Sequence, residues 1–453
     1  MPTAPLTEEA VLQSLRSVMD PDLRRDVVSL GFVKNLKIRD GHVSLDLELT
    51  TPACPVKDQL KAEATERIRS LPGVREVSVQ LSAAVRGRPV QGSAQMLPAV
   101  KNLVAVASGK GGVGKSTAAA NLALALAATG ARVGLLDADV YGPSLPTMFG
   151  ICETPEQKDG RLVPLERHGV RLMSMGFLAT KDTPVIWRGP MATKLIQQFL
   201  MAVDWGALDY LLIDLPPGTG DVQLTLVQTV PLTGAVIITT PQDVARSVAQ
   251  RGLRMFQQTD VPILGIIENM SHFSCPHCGE RTDIFRHGGG HRVSEELGLP
   301  FLGEIPLDPE MVVGGDEGTP LVAKNPKAPG ARAWREVAGA LAARISVVNL
   351  STEATRTHPA SVAVESGHVV IRWEDGHESR HPFAQLRREC PCAVCVDENT
   401  GIRRHFAQAL PPDFRPVEIQ KVGRYALQFF WSDGHNTGIY TFNSLRDSAE
   451  ARK

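Results

Sequence analysis

A run of nine residues sets the strongest limit on what this chain can fold into: Gly109-Lys110-Gly111-Gly112-Val113-Gly114-Lys115-Ser116-Thr117. It follows a continuously apolar stretch, Leu103 to Ala107, and opens an Ala-rich run, Ala118 to Ala128. Glycines let backbone N–H groups turn toward phosphate oxygens, and a helix N-terminus adds positive potential there. Lys115 would reach the terminal phosphates, and the Ser116 hydroxyl can ligate magnesium. A Gly-rich turn that merely joins strand to helix is the alternative, and the strand-loop-helix context argues against it.

Further short apolar runs follow: Val133 to Leu136, Tyr210 to Ile213, Ala235 to Ile238 and Ile263 to Ile267. They alternate with helical stretches, and strands apolar on both faces imply a mainly parallel sheet covered by helices. The expected fold is therefore α/β, with this core over residues 101–348. Before it, residues 1–82 read as a small α+β unit. Thr7 to Val18 and Val56 to Ser70 are helical, and Val33 to Ile38, Val43 to Leu49 and Val74 to Gln80 are strands, the first two joined by an Asp40-Gly41 turn. Residues 83–100, with Gly87, Pro89, Gly92 and Pro98, read as a linker. A second linker over 349–361 leads to a β-rich unit, 362–447, with few helical signals. That unit holds an echo, Trp373-Glu-Asp-Gly-His377 and Trp431-Ser-Asp-Gly-His435, each Asp-Gly suited to a hairpin turn.

Composition narrows the function classes. Forty-eight basic residues against 49 acidic ones give a formal charge of minus one, without the footprint of a dedicated nucleic-acid binder. No apolar run approaches the roughly eighteen residues needed to span a bilayer. Residues 1–10 contain two glutamates and no Lys or Arg, unlike a secretory or transit signal, so a cytoplasmic location is expected. Of seven cysteines, five lie in two tight clusters, Cys275/Cys278 and Cys390/Cys392/Cys395. Such spacing points to metal ligands in a reducing compartment.

Lys110, at the second position of the phosphate loop, makes the motif resemble the deviant Walker A subgroup of P-loop ATPases, the MinD, ParA and arsenite-pump-like enzymes. The resemblance implies ATP and Mg as ligands, and a sandwich homodimer in which Lys110 reaches the phosphates of the other subunit. Two further segments fit it: Leu135-Leu-Asp137-Ala-Asp139-Val-Tyr-Gly-Pro-Ser144 and Leu211-Leu-Ile-Asp214-Leu-Pro-Pro-Gly218-Thr-Gly-Asp221. A carboxylate at a strand's C-terminal edge faces the ligand crevice of an open α/β sheet. Asp214 then suits magnesium, through water, and Asp139 the orientation of the attacking water, while Asp137 is structural. Asn269 matches the family's adenine-contacting position.

Within that subgroup, the two Asp-containing segments and Glu268-Asn-Met-Ser-His-Phe-Ser-Cys275-Pro-His-Cys278-Gly resemble the Mrp/ApbC-type iron-sulfur cluster carriers, over about residues 100–345. A 4Fe-4S cube takes four thiolates, and Cys275 with Cys278 supplies two. Two chains facing each other across a twofold axis would supply four. The competing reading is a zinc knuckle with two of His272, His277 and His287. Other readings are a positioning ATPase of the MinD or ParA kind, and a zinc scaffold. The partners implied are apo iron-sulfur proteins and cluster-assembly scaffolds, with neither nucleic acid nor membrane.

Asp20-Pro21-Asp22-Leu23, Val28-Ser-Leu-Gly31 and Thr50-Thr51-Pro-Ala-Cys54-Pro55 resemble the small domain of SufT-like proteins, over residues 6–81; Arg24 and Arg25 depart from its pattern. Cys54, between strand and helix, is either a thiolate activated by the helix N-terminus or a small buried hydrophobe. Residues 362–446 resemble the zinc-binding domain at the N-terminus of γ-butyrobetaine hydroxylase-like proteins. That resemblance implies a structural Zn held by Cys390, Cys392, Cys395 and His435, with His377 as the rival fourth ligand.

Overall fold

A computed structural model of the chain describes residues 6–87, 97, 99–139, 142–178, 189–218, 223–224, 226–227, 230, 232–242, 255–256, 259, 261–275, 278, 280–350, 359–392, 394–396, 410–411, 413–422 and 426–450. They form two compact units, divided between Leu350 and Ser351. Among the described residues no helix is long and apolar enough to cross a membrane.

The first unit begins with α1 (Glu8–Leu15), whose N-terminus is capped by the Thr7 side chain, and continues through β1 (Val33–Arg39), β2 (His42–Leu49), α2 (Lys57–Arg69) and β3 (Glu76–Ala83). Asp40 and Gly41 both take positive φ, 49° and 80°, the requirement of the tight hairpin read from that dipeptide. Strand β2 pairs antiparallel with β1 and parallel with β3, so α2 is the crossover. Alternate β2 residues are buried, Val43, Leu45, Leu47 and Leu49, and they pack with Leu60, Ala64 and Ile68 at helical spacing on α2.

The larger part of this unit is built on an eight-stranded sheet. Its members are β4 (Leu103–Ser108), β5 (Val133–Asp137), β6 (Leu165–Arg167), β7 (Val170–Ser174), β8 (Tyr210–Asp214), β9 (Gly234–Thr239), β10 (Ile263–Glu268) and β13 (Phe301–Glu304). Between the last two lie the short strands β11 (Phe273–Ser274) and β12 (Arg281–Thr282). The sheet order is β6-β7-β5-β8-β4-β9-β10-β13, parallel throughout except for the edge pair β6-β7. Helix α3 (Lys115–Ala127) is buried from Ala118 to Leu126. Its alanines let the helix approach the sheet closely, as expected of an apolar stretch buried on all sides. Helices α4 (Gly289–Leu297), α5 (Pro309–Asp316) and α6 (Pro329–Leu350) also belong to the unit.

Two boundaries differ from the sequence expectation. The described parts of residues 83–100 pack onto the sheet domain: Val85, Leu97 and Val100 lie in its core, and Arg86 O accepts from Asn102 and Asn349. The residues read as opening the second linker, 349–350, instead end α6, where Val348 is buried. Residues 359–361 belong to the next strand, and 351–358 lie outside the described residues.

The second unit repeats one pattern twice. Its first half is β14 (Pro359–Glu365), β15 (His368–Trp373), β16 (Glu378–Pro382) and α7 (Phe383–Arg388). Its second half is β17 (Pro416–Val422), β18 (Ala426–Trp431), β19 (Ile439–Thr441) and α8 (Phe442–Glu450). Each half is an antiparallel three-stranded sheet. The helices α7 and α8 correct the expectation of few helical signals. One core, including Trp373, Phe383, Leu386, Phe429, Trp431 and Leu445, joins the halves.

Candidate functional site

The phosphate loop takes the conformation its glycines permit. Gly112 and Gly114 have φ of 81° and 77°, and no neighbour lies within 4 Å of where a Cβ would stand on Gly111 or Gly112, which leaves room for a phosphate. Gly109 through Thr117 run from the end of β4 into the first turn of α3, with Lys110 exposed and Lys115 buried. Asn269, just past β10, donates its amide to Val113 O at 2.8 Å and accepts from Met270 N at 3.0 Å. One amide hydrogen is left for a base. A cleft walled by Gly114, Thr117, Asn269, Leu307 and Met311 lies beside it.

Asp137 and Asp214 end neighbouring strands and are direct register partners. Asp214 is fully buried and ion-paired with the Lys115 ammonium, and its Oδ2 has no hydrogen-bond partner. Asp137 accepts from Asp139 N, Ser144 N, Leu145 N and Ser174 Oγ, in keeping with a structural role. Burial and then the Asp214 charge push the Asp137 carboxyl up to about 7. Burial raises Asp214 as well, while Lys115 and Ser116 pull it back. An orphaned buried carboxylate oxygen beside a lysine, a serine and an open anion cradle suits a nucleotide with its divalent cation. Asp139 is half-buried, and one of its carboxylate oxygens accepts from Gly142 N at 3.3 Å.

Cys275 and Cys278 sit in the turn between β11 and β12, where Cys275 N donates to Glu280 O at 2.9 Å. Cys275 is half-buried and Cys278 exposed. Among the described residues, no group of three metal-ligating side chains includes either cysteine. Neither His272 nor His287 joins them in such a group, and His277 lies outside the described residues. Burial holds the His272 imidazole below its ordinary value. A polar network roots this hairpin beside the nucleotide strand. Arg281 bonds Glu304 at 3.2 Å, and Ser271 donates to Glu268, which accepts from Gly288 N and Gly290 N at the start of α4. Sequence reasoning missed this network, because its members are scattered polar residues without a fixed spacing.

Cys54 is buried in the core of the N-terminal part, and burial pushes its thiol up to about 11, with Asp20 and Asp22 adding to the rise. Burial in that core accords with the hydrophobe reading. Its neighbours dock on the sheet domain: Ala53 joins that core, and Tyr210 OH donates to Thr51 Oγ1 at 3.0 Å.

In the second unit, His435 Nε2 lies 3.2, 3.4 and 3.8 Å from the sulfurs of Cys390, Cys392 and Cys395. The four ligand atoms are mutually within 4.8 Å, and His377 is not among them. Burial and the two neighbouring thiols push Cys390 up to about 12. Cys392 is drawn down to about 7, because hydrogen bonds from Thr437 and its neighbours outweigh burial. Three sulfurs and one imidazole nitrogen converging on a point fit a tetrahedral, closed metal shell. Arg387, which the sequence reading passed over, donates to Cys395 Sγ at 3.6 Å. The repetition of Leu386-Arg387 as Leu445-Arg446 was the available signal.

Comparison with known proteins adds three family matches. Residues 99–342 match the ParA family model, described as NUBPL iron-transfer P-loop NTPase. Residues 8–80 match one described as iron-sulfur cluster assembly protein, and residues 361–446 one described as γ-butyrobetaine hydroxylase-like, N-terminal. An iron-sulfur cluster carrier protein of Synechocystis is 48% identical over 351 residues, 76% of this chain and 99% of that one. The chloroplastic Fe-S cluster assembly factor HCF101 of Arabidopsis thaliana is 42% identical over 439 residues, 95% of this chain and 81% of that one. A nucleotide-binding protein from Archaeoglobus fulgidus, solved with ADP, is 41% identical over 50% of this chain and 90% of its own, with a TM-score of 0.45.

Proposed function

The chain belongs to the family of iron-transfer P-loop NTPases, and from that premise we propose that it is an ATP-dependent carrier that receives a 4Fe-4S cluster and passes it to apo iron-sulfur proteins. The observation that carries this reading is the placement of Cys275 and Cys278 together in the turn between β11 and β12. Their two sulfurs are presented in a hairpin turn, and among the described residues no group of three metal-ligating side chains includes either. A cube that takes four thiolates then draws the other two from a second copy of the chain. The relatives' names support the cargo, and Lys110, exposed at the loop, supports a homodimer in which it crosses to the partner's nucleotide.

The nucleotide site would work through its own residues. Lys115 leaves Asp214 for the terminal phosphates, the loop N–H groups from Gly109 to Thr117 hold the phosphate oxygens, and Asn269 meets the adenine. The Ser116 hydroxyl and Asp214 would hold Mg²⁺, which would supply charge that offsets the phosphates. Asp139 orients the attacking water. Since the thiolate pairs straddle the dimer interface, any change in dimer arrangement between nucleotide states alters the grip on the cluster. The N-terminal domain precedes the carrier domain in sequence and the zinc domain follows it, and the two tune client choice or exchange with assembly scaffolds. Zn at Cys390, Cys392, Cys395 and His435 would be structural. A cytoplasmic location, with neither membrane nor nucleic acid as partner, completes the proposal.

Anaerobic reconstitution should give about four iron per dimer. Near-normal cluster binding by a Cys275→Ala, Cys278→Ala variant overturns the proposal. For the nucleotide, Asp139→Ala should bind ATP without turning it over, and normal hydrolysis by a monomeric Lys110→Ala variant would exclude the shared site.

A further inference from the structure

We propose that Arg387 is a positioning residue for the Cys390, Cys392, Cys395 and His435 centre, fixing both the Cys395 sulfur and the turn that presents His435. The inference rests on the reading of those four residues as a metal site.

The internal repeat of this unit supplies the argument, since it contains the same ion pair twice. In one half-to-half contact, Arg387 Nε donates to Asp433 Oδ2 at 2.7 Å, and His435 N donates to Asp433 Oδ1 at 3.0 Å. In the other, Arg446 pairs with Asp375, and His377 N donates to Asp375 Oδ1 at 3.1 Å. The two turns close alike: Trp373 N donates to His377 O, and Trp431 N to His435 O, both at 2.9 Å. Each arginine thus reaches from the helix of its own half to the Asp-Gly turn of the other. This shared geometry is the framework of the repeat and requires no metal.

The halves differ in what surrounds the arginine. Three cysteines follow Arg387, whereas residues 447–453 contain none. Arg387 adds a bond to a sulfur, from Nη1 to Cys395 Sγ, the one arginine–sulfur bond found among the described residues. Its side chain is 9% exposed against 21% for Arg446. A Cys3His set around divalent zinc carries one net negative charge, and in a partly buried place that charge needs a fixed counter-charge. The planar guanidinium can hold Asp433 on one edge and Cys395 on another at the same time, which a lysine cannot. Partners of this kind orient ligands and raise affinity for the metal.

The test uses the full chain carrying Cys275→Ala and Cys278→Ala, so that the paired cysteines of the other unit do not compete for the added metal. Zinc affinity is read by chelator competition, and the thiolate-to-metal absorption by substitution with cobalt(II). Arg387→Ala should lower zinc affinity by about ten- to a hundredfold. It should also move the charge-transfer band to lower energy, because the sulfur lone pair loses a hydrogen bond. Arg387→Lys should recover part of the affinity but leave the band shifted. Arg446→Ala, which breaks the twin ion pair, should change neither. Equal losses from Arg387→Ala and Arg446→Ala would reduce Arg387 to framework and overturn the proposal, as would unchanged affinity and band in both Arg387 variants. If the starting chain binds no zinc, the metal-site reading falls and this inference with it. Tight binding that is indifferent to Arg387 removes the inference alone. Should Arg387→Ala fail to fold, the Arg387→Lys band decides.

Discussion

Lys115 and Asp214 form a buried ion pair across the crevice, from the first turn of α3 to the end of β8. Without nucleotide, the carboxylate is the counter-charge for a lysine that would otherwise be buried alone. Asp214→Asn should therefore destabilise the nucleotide-free protein by about 3 to 5 kcal/mol, the usual cost of breaking a buried pair on one side. ADP should restore most of that loss, because its phosphates give the ammonium a new partner. Thermal unfolding with and without ADP measures both effects. A loss that ADP does not recover would assign Asp214 to the sheet instead of to Lys115.

Cys54 gives a prediction in thiol chemistry. Burial raises its thiol to about 11, so at pH 8 almost none is thiolate, the reactive form. Iodoacetamide at pH 8 should modify exposed Cys152 promptly and Cys54 only on unfolding. The sign for stability follows from the raised value. The contribution from keeping the thiol neutral is full below about pH 9, the value for an exposed thiol, and is lost as pH rises through about 11. Rapid alkylation of Cys54 in the folded chain would restore the activated-thiolate reading.

The difference between what the residues announced and what they concealed has a physical pattern. The loop from Gly109 to Thr117, the apolar strands and the Asp40-Gly41 turn were legible because each is a local requirement, met within a few adjacent residues. The choice of His435 over His377 was not visible in the turns themselves, which are alike. It is made by tertiary placement, since α7 and the cysteines after it lie against the Asp-Gly turn of the other half. Cys54 was ambiguous because its sequence neighbours place it before a helix, while its environment is set by the N-terminal core packed around it. The tie of Arg86 to Asn102 and Asn349 was hidden for the same reason, and so a stretch that reads as a tether is packed in its described parts.

Tyr210 begins β8, the strand that ends at Asp214, and its hydroxyl is the hydrogen-bond donor to Thr51 in the N-terminal part. Tyr210→Phe keeps the ring and removes the bond, and Thr51 Oγ1 still accepts from Ala53 N at 3.2 Å. The expected cost is about 0.5 to 1.5 kcal/mol. ADP affinity should be unchanged, since the hydroxyl and the crevice lie at opposite ends of the strand. Calorimetric unfolding and nucleotide titration check the two halves of the statement, and weakened ADP binding would mean that docking is coupled to the nucleotide site.

The four gathered ligand side chains of the second unit make the last prediction. Structural zinc can contribute roughly 10 to 16 kcal/mol to the folding of a small domain. Chelation should therefore unfold residues 362–446, exposing Trp373 and Trp431, which are buried in that core. The readout is a red shift of tryptophan emission with ADP binding retained, because the nucleotide residues belong to the other unit. His435→Ala removes the nitrogen that lies against all three sulfurs and should reproduce the effect of the chelator. His377→Ala, in the equivalent turn of the other half, should keep one zinc per chain. Zinc retained after His435→Ala and lost after His377→Ala would reverse the assignment, and an unshifted emission on full removal of metal would show that the aromatic core holds this unit together without it.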